Sequence, residues 1–217
     1  MNYNNIYVYI FSWKRITNNS VNLFNKVSEH FTNTYMINCN ENITLPIDQK
    51  YNIQLDDSYY YGGQFEAAIK HIPENCIMGI ITGDVDPNAE WEKILMNMKK
   101  SFETNKIGIY APNVDFTAHT NKTKHLWDLL YEVPNTDCTC WFIHPTIIKK
   151  LGNIPYFNLS NLGWGIDIIF IEECKKNNLY AARDYSVIVY QPKCTAYNMH
   201  TAGIELNKII NYYKNYI

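Results

Sequence analysis

Three places in this 217-residue sequence combine residue types that do chemistry. Asp84-Val85-Asp86 comes just after the apolar run of residues 76–82. In open α/β sheets ligands gather outside the carboxyl ends of the strands. Two carboxylates one residue apart can address one site there, one on a cation directly and one through water or a ribose hydroxyl. Hard oxygen ligands suit Mg²⁺ or Mn²⁺, which keep positions open for substrate phosphates. Gly83-Asp84 and Asp86-Pro87 are also turn-prone pairs, so a solvated turn is the competing reading. Gly163-Trp164-Gly165-Ile166-Asp167 is the second place. Its glycines let a loop fold closely over a ligand, and the indole offers a flat apolar wall. Asp167 falls in the first turn of a helix, suited either to capping or to general-base work on a hydroxyl. The third is His200, an imidazole that could join a cation held by Asp86; a surface histidine is the plainer alternative.

The elements that must position these residues follow from periodicity. Residues 6–11 read as a strand, and 17–31 as a helix with Val21, Phe24, Val27 and Phe31 at helical spacing. Residues 34–38 form a second strand, 59–72 a helix closed by Pro73, and 76–82 a strand covered on both faces. A helix opening at Pro87 and a strand over 106–111 complete the first half. Such alternation implies a parallel sheet with helices on both faces. The second half is less regular: strand 138–143, helix 145–151, loop 153–163, helix 164–177, short strands 179–182 and 186–190, and a terminal helix over 205–213. No linker divides the chain, so a single domain is expected. Residues 1–111 and 112–217 would be its two halves, the first alternating strand and helix as nucleotide-binding folds do. The terminal helix is expected to pack on the sheet.

In this order the motifs resemble GT-A-fold glycosyltransferases, over roughly residues 6–200. The resemblance implies an α/β, Rossmann-like domain with a mostly parallel central sheet and a smaller mixed or antiparallel acceptor-side part. It implies a nucleoside-diphosphate-sugar donor, a UDP-sugar as first choice, bound by the half over about 1–111, and a saccharide or glycan acceptor bound by the half over about 112–217. Asp84-Val85-Asp86 would set Mn²⁺ or Mg²⁺ on the donor diphosphate, His200 would complete the metal site, and Asp167 would be the base of an inverting transfer. The family usually has Glu-Asp where this chain has Ile166-Asp167. Phe11, Ser12 and Trp13 would lie over the nucleotide, Asn38 near its base, and Tyr61, Gly62, Gly63 and Gln64 beside it. Trp141, His144, Trp164 and Gly165 would line the acceptor side.

Composition narrows the field. Nineteen basic against 21 acidic residues give a net charge of −2, without the basic surplus a nucleic-acid binder shows. No run of about 18 apolar residues exists, so no membrane span is expected, and with no signal peptide a cytoplasmic location is. Six cysteines without zinc spacing are expected to be reduced and structural. Three rivals share these features. A sugar nucleotidyltransferase of the same fold would carry a Gly-rich loop after the first strand, where this chain has Ser12-Trp13-Lys14-Arg15-Ile16. A HAD-like phosphohydrolase would carry its aspartates on the first strand. A non-catalytic sugar-nucleotide or glycan-binding module stays open, as does the oligomeric state.

Overall fold

The computed structural model describes residues 5–40, 43–103, 106–115, 117, 119–192 and 198–216. β1 (Ile6–Ser12), α1 (Thr17–Ser28), β2 (Asn33–Asn38), β3 (Asn52–Gln54), α2 (Tyr61–His71), β4 (Ile77–Thr82), α3 (Trp91–Glu103) and β5 (Ile107–Val114) make the first half. The hairpin β6 (Lys124–Trp127) and β7 (Leu130–Glu132) follows, then β8 (Cys140–Ile143), α4 (Pro145–Leu151), α5 (Tyr156–Leu159), α6 (Ile166–Lys176), β9 (Tyr180–Val189) and α7 (Met199–Tyr216).

Residues alternate across β1, and each set meets its own helices. Val8 and Ile10 enter a cluster with Leu23 and Phe24 of α1 and Ile94 of α3. Tyr9 and Phe11 enter a second cluster with Phe65 of α2, Ile147 of α4 and Phe170 of α6. A strand buried on both faces reads as continuous apolar sequence, which is why β4 is buried at every position.

The nine strands of the described residues form one sheet in the order β3-β2-β1-β4-β8-β5-β9-β7-β6. β3, β2, β1 and β4 are parallel, β8 is antiparallel to both β4 and β5, and β5 is parallel to β9. β7 and β6 complete an antiparallel edge. A mostly parallel half joined to a mixed part is the architecture expected from the sequence. The chain leaves β1 toward β2 on one side, while β4 lies on the other. The carboxyl ends of β1 and β4 therefore flank a topological switch point, the usual ligand crevice of such sheets.

Several boundaries differ from the sequence reading. α3 begins at Trp91 rather than Pro87, because Asp86 Oδ1 accepts the Asn88 N–H at 2.8 Å and holds residues 86–88 in a turn. The two short strands expected over 179–190 are one strand whose register against β5 shifts after Asp184. The loop over 153–163 contains the single turn α5. The terminal helix starts earlier, at Met199, and buries Ala202, Ile209 and Tyr213, so it packs on the domain as expected. Cys39, Cys76, Cys138, Cys140 and Cys174 are free thiols. Cys194 lies outside the described residues. No helix among the described residues is long and apolar enough to cross a membrane.

Candidate active site

Asp84 and Asp86 stand on a turn at the carboxyl end of β4. The Gly83 N–H donates to the Phe11 carbonyl at 2.8 Å, tying the turn to the end of β1. A side chain at Gly83 has no room, since its Cβ would lie 2.1 Å from Ser20 Oγ and 2.6 Å from the Phe11 carbonyl. Asn19 of α1 donates to the Gly83 carbonyl at 2.7 Å and to the Val85 carbonyl at 2.9 Å. From the other side, the Asp86 N–H donates to the Tyr190 carbonyl at 2.9 Å. Both carboxylates already have partners. Gln191 donates its amide to Asp84, and Asp86 Oδ1 accepts from the backbone and side chain of Asn88. Val85 is buried beneath them.

Asp167 sits in the first turn of α6, behind a loop that only glycines can make. Gly163 and Gly165 have φ of 93° and 87°, in the left-handed region that favours glycine. A Cβ at Gly163 would press on the Tyr61 ring, and one at Gly165 on Leu206 and Ile209 of α7. Glu205 of α7 also accepts the Leu162 N–H at 2.8 Å, so the terminal helix clamps this loop. Burial pushes the Asp167 carboxyl above the usual carboxylate range, opposed by the Ile168 N–H and by His119 and reinforced by Asp137.

Residues 138 and 139 connect the two carboxylate regions. Thr139 donates to Gln191 Oε1 at 2.6 Å, and that same amide reaches Asp84. The neighbouring Cys138 is hydrogen-bonded to the Asp167 backbone, and its thiol is pushed up first by burial and then by the Asp167 charge. The Cys138 carbonyl accepts from Tyr61 Oη at 2.8 Å, and Tyr61 Oη accepts from Trp141 Nε1 at 3.0 Å. Thus residues from α2, the approach to β8, the start of α6 and the end of β9 are linked to the β4 turn on the side of the sheet where β4 ends.

The donor-side residues are mostly buried. Phe11, Ser12, Asn38 and Gln64 are fully buried, while Trp13 and Tyr61 are partly so. Among the described residues, Ser12 Oγ, Asn38 Oδ1 and both amide atoms of Gln64 have no hydrogen-bond partner. Buried polar groups are ordinarily paired, and these lie beneath the surface, as do unpartnered atoms of Asn52, Asn113, Arg183 and Tyr185 elsewhere in the fold. The close approach permitted by Gly62 and Gly63 is taken up by the chain itself: a Cβ on Gly62 would sit 1.8 Å from the Ser160 carbonyl, and one on Gly63 2.5 Å from the Tyr59 ring.

Two acceptor-side expectations are corrected. Trp141 is wholly buried, stacked on Phe65 and edge-on to Phe170, so its indole packs the core and has no face for a sugar. His144 lies beside the amino-terminal end of β4, away from the turn, because β8 runs antiparallel to β4, with Ile81 opposite Cys140 and Met78 opposite Ile143. Its Nδ1 there accepts the Thr146 N–H and caps α4. Trp164 is partly buried and Gly165 buried. His200 is exposed in the first turn of α7, and among the described residues no group of three or more His, Cys, Asp or Glu side chains forms a metal-holding cluster. The fit to a cation rests on Asp84 and Asp86 alone: two carboxylates are a common protein share for Mg²⁺ or Mn²⁺ when phosphates supply other ligands.

Sequence reading missed Gln191, His119, Asp137 and Arg183. Only Arg183 left a signal, as one of two arginines in a chain with 19 basic residues.

The fold is a GT-A-like α/β arrangement. No protein-family model and no curated protein matches the chain. Solved structures do. Residues 1–349 of S. aureus TarS share 11% identity at a TM-score of 0.53, over 97% of this chain and 73% of that one. The UDP-glucose pyrophosphorylase of Acinetobacter baumannii shares 7% at 0.52, over 95% and 93%. The inositol-1-phosphate CTP transferase of T. maritima shares 7% at 0.51, over 98% of both chains. At these identities the likeness establishes the fold.

Proposed function

We propose that this protein is a glycosyltransferase that moves a sugar from a nucleoside-diphosphate sugar, a UDP-sugar as first choice, to a saccharide hydroxyl. The observation that carries the reading is the Asp84-Val85-Asp86 turn at the carboxyl end of β4, tied to the end of β1 beside the β1/β4 switch point. Asp84 and Asp86 would hold Mn²⁺ or Mg²⁺, with His200 an additional ligand that the carboxylate pair does not require. A cation bound there would neutralise charge on the departing diphosphate.

The remaining work falls to the chain's own groups. Ser12 and Asn38, which close β1 and β2, and Gln64 of α2 would stand behind the nucleotide side of the crevice, beneath the surface. Asp167 would take the acceptor hydroxyl's proton as that oxygen attacks the sugar from the face opposite the diphosphate, giving inversion. A carboxyl whose proton affinity is raised by burial is better matched to that task than an ordinary aspartate. Tyr61, anchored by Trp141, holds the Cys138 backbone beside Asp167.

Nucleotidyltransferases share this fold, as two of the neighbours' names state. Here the Ile16 N–H donates to the Trp13 carbonyl at 2.9 Å and α1 begins at once. That tight, glycine-free turn leaves no loop to wrap a triphosphate, which favours transfer. Incubation with UDP-sugars and Mn²⁺ tests the proposal: slow UDP release, abolished by EDTA and accelerated by an acceptor glycan, is expected. Pyrophosphate release from UTP and a sugar phosphate would instead establish the nucleotidyltransferase.

A further inference from the structure

Arg183 is wholly buried within β9 in a chain that otherwise uses lysine for nearly all its positive charge. Burying a charge is costly, and it persists where its geometry repays the cost. The guanidinium of Arg183 reaches two separate loops. On the loop after β5 it donates to Thr117 Oγ1 at 3.1 Å and to the His119 carbonyl. On the loop before β8 it donates to Asp137 Oδ2 at 2.8 Å and to the Asn135 carbonyl at 3.5 Å. A planar five-donor fork can make such contacts together, whereas a lysine ammonium is a single point.

The same two loops carry the charged groups that face Asp167. His119 and Asp137 act on it from them, Cys138 lies next to Asp137, and Tyr61 faces it from α2. We infer that Arg183 is a positioning residue, tying Thr117 and His119 to the 135–137 segment so that His119, Asp137 and Cys138 stand at fixed places around Asp167. The role assigned to Asp167 rests on the proposed transfer; the bracing of its surroundings does not.

The test follows the ionisation of Asp167 directly, by titrating its carboxyl ¹³C resonance, assigned with Asp167→Asn, in the wild type and in Arg183→Lys. Lysine keeps the charge but cannot hold both loops, so Asp137 is less well neutralised. The Asp167 midpoint should therefore rise by about half a pH unit or more. The kcat of transfer should fall about tenfold with the donor KM within about twofold of wild type. A folded Arg183→Lys protein with an unmoved midpoint and unchanged kcat overturns the inference, even if its Tm is lower. Should Arg183→Lys not fold, Thr117→Val removes the Arg183 bond to Thr117 together with the two bonds between Thr117 Oγ1 and the His119 backbone, and a midpoint shift in the same direction is expected; no shift overturns the proposal. Wild-type transfer by Asp167→Asn would instead remove the base role while leaving the titration comparison intact.

Discussion

Gln191 donates its side-chain amide to both carboxylate oxygens of Asp84, at 3.0 Å each. Its own oxygen accepts from Thr139, so the amide is held from both ends. In the free protein this amide occupies the lone pairs that a cation would need. Replacing Gln191 with alanine should therefore tighten Mn²⁺ binding. A hydrogen bond to a charged group is worth about 1.5–3 kcal/mol, so a gain of about tenfold in affinity is expected. Titration of Mn²⁺ into wild type and Gln191→Ala checks this, and equal or weaker binding by the variant contradicts it.

Asp167→Asn should lower transfer by roughly 10²–10⁴-fold while leaving UDP affinity intact. The same substitution should raise stability at neutral pH. A carboxyl whose folded-state proton affinity exceeds its unfolded value contributes stability that is present below the unfolded pKa and lost as pH rises through the folded one. The Tm of the variant should exceed wild type at pH 7, and the difference should close below about pH 4, the ordinary aspartate range. Thermal melts across pH decide it. The acid limb of the wild-type rate profile should likewise lie above that range.

Gly165→Ala tests the loop. Left-handed backbone costs a residue with a Cβ about 1–2 kcal/mol, before the contact with Leu206 and Ile209 of α7 is counted. A loss of about 2 kcal/mol or more corresponds to a Tm lower by about 4–8 °C in a chain of this size. Transfer should fall further than the melt alone explains, because Asp167 lies in the first turn of the helix that this glycine caps.

Trp141→Phe should leave the acceptor KM unchanged, and Trp141→Ala should cost about 3–5 kcal/mol of stability as a core cavity. A sugar-stacking tryptophan would behave the other way, raising KM at little cost in Tm.

Much of the fold was legible because its signals are local. The run over 76–82 became β4 less one residue, and Pro145 opened α4 as its position implied. What stayed hidden depends on distant pairing. Nothing local in residues 140–143 says that this strand inserts antiparallel between β4 and β5, and that reversal is what sends His144 to the amino-terminal end of β4. The hairpin β6–β7 is short, polar and partly exposed, without the apolar alternation that marks a strand. In the site, Asp84, Asp86 and Asp167 stood out through their glycine and proline neighbours. Gln191, an uncharged residue after an ordinary strand, acquires meaning only when β9 brings it to Asp84. Trp141 shows the converse: aromatic residues dominate cores, and composition does not reveal which face is open.

If Asp84 and Asp86 hold a cation on which a nucleotide diphosphate binds, calorimetric titration of UDP with Mn²⁺ and with EDTA, beside Asp84→Asn, Asp86→Ala and His200→Ala, will show it. UDP binding should require Mn²⁺, be lost in both aspartate variants and be weakened least in His200→Ala. UDP binding that is indifferent to EDTA and to both aspartate substitutions, or no UDP binding under any of these conditions, would contradict it.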